Sequence, residues 1–234
     1  MKKLIIAFVA LAALCCPSAW AADDQAIQQR LSQRYGQVNG LAADFTRESQ
    51  YVAAAGQAAR KVRSVGQLVW VRPLNLRLTE SVPKPQEVVS DGRTMWLIQP
   101  DRQRVTIYEV GDNTQALRGL LAALSGLSAL DDSFKVVEAT AEEQGPAGSL
   151  TVAMEPKEPR ADMGRLVVWF AEGNLDLLGL RIVSMVGNIN QYGFSNQRYN
   201  PDTSAGHFAY QPPEGWRVFD QRPVQRRMEK GRSE

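Results

Sequence analysis

Cysteine, histidine and surplus charge are all scarce in this 234-residue chain. Both cysteines, Cys15 and Cys16, fall in the first 21 residues, and the single histidine is His207. Those first residues read as a secretory leader. Lys2 and Lys3 form a positive n-region and Leu4 to Cys16 an apolar run too short to span a bilayer. Ala19-Trp20-Ala21 is a cleavage site with the cut after Ala21. Removing residues 1–21 leaves no disulfide, thiol nucleophile or thiolate metal ligand. The leader also takes two of the 27 basic residues and none of the 25 acidic ones, so the remainder is neutral. A balanced chain lacks the positive excess expected of a nucleic-acid binder. Phosphate-binding GxGxxG and GxxxxGK loops and the GxSxG elbow are missing too. Nothing in the spacing brings two carboxylates together beside an aromatic wall. No catalytic residue, metal or cofactor is therefore expected. A lipoprotein signal acylated at Cys15 or Cys16 is the other reading of the leader. Leu14 and Cys15 stand where small residues normally precede such a cysteine, which weighs against it. The processed chain is expected to be soluble in a periplasm, without an anchor.

With 44% hydrophobic and 22% charged residues, the chain has the composition of an ordinary folded domain, expected here over residues 22–221. Asp23 or Asp24 is placed to cap a first helix carrying Ile27, Leu31, Tyr35 and Val38, which Asn39-Gly40 stops. From Leu41 the apolar period falls towards two. Strands are expected over 41–46, 62–71, 74–79, 86–89, 94–99, 102–110, 134–139, 149–154, 165–171, 177–185, 191–197 and 207–210. These twelve candidate segments stand for about eleven short strands, with an alanine-rich loop around Gly56 and a tight hairpin at Asp91-Gly92. Thr114 to Gly126 breaks the pattern. Leu117, Leu120, Leu121, Leu124 and then Leu127 form an apolar stripe along a helix. From Arg222 the tail holds five basic and two acidic residues and reads as a solvated, mobile end.

Three strands are apolar on both faces: Leu68-Val69-Trp70-Val71, Met95-Trp96-Leu97-Ile98 and Leu166-Val167-Val168-Trp169-Phe170. An antiparallel sheet usually wets one face and alternates cleanly. Two apolar faces mean that both are covered, as in a sandwich, or that one lines a cavity closed by the leucine-striped helix. Counting by twos puts Leu68, Trp70, Leu74, Leu76 and Leu78 on one face, with Arg72 on the same parity. An arginine facing an apolar interior needs acceptors, and helix-end or loop carbonyls of a lid would serve. An exposed arginine at a strand end, with Pro73 making a bulge, fits the same count.

Six segments in order then resemble a known family. They are Leu41-Ala42-Ala43-Asp44-Phe45-Thr46, Gly66 to Pro73, Val89 to Trp96, Met154-Glu155-Pro156-Lys157, Phe194-Ser195-Asn196 with Asn200-Pro201, and Phe208 to Gly215. The chain resembles the LolA family of periplasmic outer-membrane lipoprotein carriers over nearly its whole length. The resemblance implies a mainly β fold with an α lid: an incomplete, open antiparallel β-barrel enclosing a hydrophobic cavity covered by helices. It implies a monomeric carrier, not an enzyme, that takes acylated lipoproteins from an inner-membrane LolCDE-type ABC transporter to an outer-membrane LolB-type receptor. Arg72 maps onto the arginine that latches the lid. Phe45, Leu68, Trp70, Leu74, Leu76, Leu78, Met95 and Leu97 would line the acyl-chain cavity, and Leu117, Leu120, Leu121 and Leu124 would form the lid helix. Three positions depart from the family pattern: Leu76 where phenylalanine is common, Gln115 where the lid usually has proline, and Trp70, shifted by one. A carrier or sensor of another lipid on the same scaffold is the alternative function. A LolB-like receptor would need the acylated cysteine, an RseB-type regulator a further C-terminal domain, and a hydrolase a polar site inside the cavity.

Overall fold

Alternating burial along residues 62–71 and 75–80 sets one apolar face against one mixed face. The computed structural model describes residues 19–53, 58–110, 115–126, 134–159 and 161–223. Helix α1 (Ala19–Tyr35) leads into β1 (Gly40–Tyr51), β2 (Arg60–Val71), β3 (Asn75–Val82), β4 (Gln86–Asp91), β5 (Thr94–Gln99) and β6 (Arg104–Glu109). Helix α2 (Gln115–Gly126) follows, and then β7 (Phe134–Val137), β8 (Ser149–Pro156), β9 (Arg165–Ala171), β10 (Leu177–Val183), β11 (Ile189–Tyr199) and β12 (Arg217–Asp220). The twelve strands of the described residues form one open sheet in the order β12-β6-β5-β4-β3-β2-β1-β11-β10-β9-β8-β7. The pairs are antiparallel except β12, which runs parallel to β6.

One apolar cluster draws on β1 through β5, β7 through β11 and both helices. In a flat sheet, at about 4.8 Å per strand, Met95 on β5 and Met154 on β8 would stand tens of ångströms apart. Curvature brings them into one core, and bulges supply part of it. The register shifts between Ala42 and Asp44 on β1 and between Val65 and Gly66 on β2. At Gly66 the two backbones close so far that an added Cβ would lie 1.9 Å from the Thr79 carbonyl oxygen, so only glycine fits.

The outward face is covered as well, by short local segments. On β4–β6, Val89, Ile98 and Val105 are buried with Trp96 and Ile107 beneath Tyr210 and Trp216. Arg77 pins this cover by donating to the His207 carbonyl at 2.7 Å. On β8–β9, Ala153, Val167 and Trp169 form a second outer cluster with Val137, Ala139 and Leu178. There the Trp169 indole donates to the Glu143 carbonyl at 2.8 Å, and Arg165 pairs with the Glu143 carboxylate. Both-sided apolarity in these strands thus has two origins: an enclosed inner face and locally covered outer patches.

The structure corrects several expectations. Helix α1 is already formed at Ala19 and runs through Asp23 and Asp24, because Ala19, Ala21 and Ala22 favour helix strongly enough to extend it past those carboxylates. Residues 207–210 are not a strand. Residues Ala205–Phe208 make a 3-10 turn, with His207 N–H donating to the Ser204 carbonyl, and Pro212-Pro213 could not continue a ladder. The strand at the sheet edge is β12 instead. At the β4–β5 hairpin only Gly92 takes a positive φ, of 87°, while the Asp91 carboxylate accepts from the Arg93 and Thr94 amides. The Gly56 loop, Leu127 and residues 224–234 lie outside the described residues. Arg222 is paired with Asp220 at 2.6 Å.

Gly66→Ala is expected to destabilise the fold by at least about 2–3 kcal/mol, since backbone rather than a side chain blocks the new methyl. Urea unfolding of the purified variant measures this, and a loss under about 0.5 kcal/mol would show that the β2–β3 approach is not tight.

Candidate functional site

The inner wall is built on register. Leu68 lies opposite Leu78 and Trp70 opposite Leu76 across β2 and β3, while Ala43 on β1 lies opposite Leu68. Phe45, Leu68, Trp70, Leu76, Leu78 and Met95 are buried, and Leu74 and Leu97 are half-buried against the same cluster. The eight positions expected to line a cavity therefore form one apolar wall. Facing them, Leu120, Leu121 and Leu124 of α2 are buried in that cluster, together with Leu31 and Tyr35 of α1. The Leu117 side chain lies outside the described residues. Trp70 carries one anomaly. Its indole N–H is buried with no acceptor among the described residues.

A polar corner holds both helices to one end of the sheet. Arg72 follows β2, and its guanidinium donates to the carbonyl of Tyr35, the last residue of α1, at 3.2 Å. It also lies 5.9 Å from the Trp70 ring centre, and burial disfavours its charge. The expected partner class, a helix-end carbonyl, is present, but it belongs to α1. Helix α2 reaches the same corner through Ser125, whose hydroxyl donates to the Pro73 carbonyl at 3.0 Å. Ser90, fully buried on β4, donates to the Leu74 carbonyl at 2.8 Å and fixes the turn from the third side.

Residues with no role assigned from sequence complete the corner. Asn200, with φ at 51°, accepts from the Asn39 amide at 2.6 Å and donates to the Gln37 carbonyl at 3.0 Å. The Tyr35 hydroxyl donates to the Leu175 carbonyl at 2.6 Å, and burial pushes its pKa far up. Arg34 pairs with Asp176 at 3.1 Å and lies over the Tyr199 ring. The Asn-Pro pair after a long strand was the sequence signal for Asn200, since asparagine tolerates the left-handed region. Tyr35 carried none beyond its apolar spacing.

Away from this corner the same inner face turns polar. Arg47 follows Phe45 by two on β1, and Glu80 follows Leu78 by two on β3. The two pair at 2.6 Å, with Glu80 only 3% exposed. Gln86 donates to the other Glu80 oxygen at 2.8 Å. Burial pushes the Glu80 carboxyl above the usual range, and Arg47 and Gln86 only partly oppose it. The wall thus runs from an apolar floor under the helices to a charged pole at the opposite end.

The described residues thus form an open, mainly antiparallel sheet whose apolar inner wall is covered by the chain's own helices. Residues 36–211 match the family model for "Outer membrane lipoprotein carrier protein LolA". The chain belongs to this family. An outer-membrane lipoprotein carrier protein from Albidiferax ferrireducens is 31% identical over 79% of this chain and 86% of that protein. One from Alkalilimnicola ehrlichii is 27% identical over 93% and 96%. Among solved structures, a LolA superfamily protein from Nitrosomonas europaea superposes with a TM-score of 0.40 at 10% identity, covering 80% of this chain and 97% of that one.

The Arg47–Glu80 pair generates a pH-dependent prediction. Arg47→Leu leaves Glu80 buried without its cation, at a cost of about 3–5 kcal/mol near neutral pH. Its folded pKa, already raised, rises further, so folding then favours the protonated acid. The penalty should shrink as pH falls towards 5, whereas Glu80→Gln should cost less and vary little with pH. Unfolding midpoints at pH 5 and pH 8 measure both, and a pH-independent Arg47→Leu penalty would contradict the assignment.

Proposed function

We propose that this protein carries lipoproteins across the periplasm by holding their acyl chains against the inner wall of its open barrel. The observation that carries the reading is that the wall's cover consists of the chain's own helices, held at the Arg72 corner by a handful of polar contacts. Each buried acyl CH₂ contributes roughly 0.8 kcal/mol, so the chains of one lipoprotein are costly to leave in water. Cargo that displaces α1 and α2 exchanges one apolar contact for another and gains only the difference. Such a carrier binds firmly and still releases. The orphaned Trp70 indole N–H offers a donor that an acyl-ester carbonyl can satisfy.

In this reading residues 1–21 are a cleaved leader, no chemical step occurs, and Arg72 sets the stability of the closed state. A LolCDE-type transporter would load the carrier and a LolB-type receptor would unload it. A hydrogen bond from a charged, partly exposed donor contributes about 1–2 kcal/mol. Loss of the Arg72 contact therefore shifts the closed-to-open ratio by roughly tenfold.

The test is a release assay. Inner-membrane vesicles holding newly made lipoprotein, with the matching transporter and ATP, are incubated with the purified protein. A soluble one-to-one complex is expected, and no release by folded protein would contradict the carrier role and favour another lipid. Arg72→Leu should accumulate as cargo-bound protein and deliver roughly tenfold more slowly to the receptor. Delivery at the wild-type rate would remove Arg72 from the latch.

A further inference from the structure

The pole of the sheet opposite the Arg72 corner combines a basic cavity with an exposed apolar fringe. The cavity, of about 340 Å³, is lined by Arg47, Arg60, Lys84 and Arg102, with Glu80 the one carboxylate among its described lining residues. Glu80 is already neutralised by Arg47, which among the described residues leaves Arg60, Lys84 and Arg102 as surplus positive charge. In the described connecting residues at this pole, 52–53, 58–59, 83–85 and 100–103, Asp101 is the one acidic residue. The adjoining connection, 157–164, is charge-balanced in sequence.

Around the cavity stand apolar side chains that the fold leaves in water. Val52 is 53% exposed, Val82 48%, Met185 64% and Val186 66%. Tyr51, on the cavity wall, is 41% exposed. They share one end of the sheet. Tyr51 lies opposite Arg60 at the last rung of β1 and β2. The Val52 amide donates to Asn188 in the β10–β11 turn at 3.0 Å, which sets Met185 and Val186 beside it. Val82 immediately precedes the cavity-lining Pro83.

We propose that this pole is a binding site for anionic phospholipid at a bilayer surface. One headgroup phosphodiester enters the basic cavity while Val52, Met185 and Val186 sink among the headgroups. Neither half explains the other's ligand alone: a soluble phosphate has no use for the fringe, and the fringe alone has no preference for charge. Together they make the two weak signals that reversible membrane contact requires. The site does not depend on the acyl-carrier reading, and it would let a shuttling protein touch a membrane without staying there.

The experiment is flotation of the protein, isolated as the cell processes it and with its N-terminus read by mass spectrometry. Vesicles of equal parts phosphatidylglycerol and phosphatidylcholine are compared with pure phosphatidylcholine. Each basic residue near an anionic surface contributes about a fivefold gain. Binding to the mixed vesicles is therefore expected to exceed that to phosphatidylcholine by roughly tenfold or more, and to fall several-fold between 0.05 and 0.5 M salt. The Lys84→Glu/Arg102→Glu variant should lose that preference, and Val52→Asp/Val186→Asp should weaken binding to the mixed vesicles several-fold. The variants' thermal unfolding should match wild type, since all four residues sit at the surface. Equal binding to both vesicle types, or binding to neither, overturns the proposal. So does stabilisation by glycerol 3-phosphate without vesicle binding, which would assign the cavity to a small soluble anion.

Discussion

An apolar wall that must not meet water governs this molecule. The inner face of the sheet carries Phe45, Leu68, Trp70, Leu76, Leu78 and Met95, all buried. Exposing any one would cost about 1.5–3 kcal/mol. Curvature alone does not cover them, because the sheet is open between β12 and β7. The chain supplies the cover itself, with Leu120, Leu121 and Leu124 from α2 and Leu31 and Tyr35 from α1. A core made this way differs from an ordinary one. One side is a hydrogen-bonded sheet, and the other is a pair of helices whose apolar contacts another apolar body could replace.

How those helices are held follows from the same wall. Beside so much apolar surface, polar groups find partners chiefly towards the two ends of the sheet, with the Arg47–Glu80 pair towards one end and backbone partners gathered at the Arg72 corner. Arg72, Ser125, Ser90 and Asn200 all reach backbone groups there. Backbone acceptors make the hold depend on position rather than on sequence. The outer face has fixings of its own. The outer clusters on β4–β6 and β8–β9 are covered by segments pinned through Arg77, Trp169 and Arg165.

Much of this was legible in the residues. Alternation at Leu68, Trp70, Leu76 and Leu78 named the inner face, because period-two patterning survives wherever one face is enclosed. The leucine stripe named α2 for the same reason. Arg72 stood out as a charge on an apolar parity. Its partner did not, because a carbonyl at the end of α1 leaves no mark on the Tyr35 side chain. β12 was hidden because its burial pattern is nearly uniform exposure, so no alternation announces it. Residues 207–210 misled for the opposite reason: Phe208 is buried by covering the outer face of other strands, which mimics a strand's own period. Glu80 was invisible as a buried acid, since only the β3–β4 register brings Gln86 to it.

Apolar cargo either replaces the helical cover or binds elsewhere. Amide hydrogen exchange of the protein, with and without a bound synthetic triacylated lipopeptide, separates the two directly. If cargo takes the place of α2, the amides of Leu120 to Ser125 should exchange at least about tenfold faster in the loaded protein, while those of β2 and β3 stay protected. Unchanged or increased protection of α2 in the loaded protein would mean that the helix is a fixed part of the core, and that the acyl chains lie on another surface.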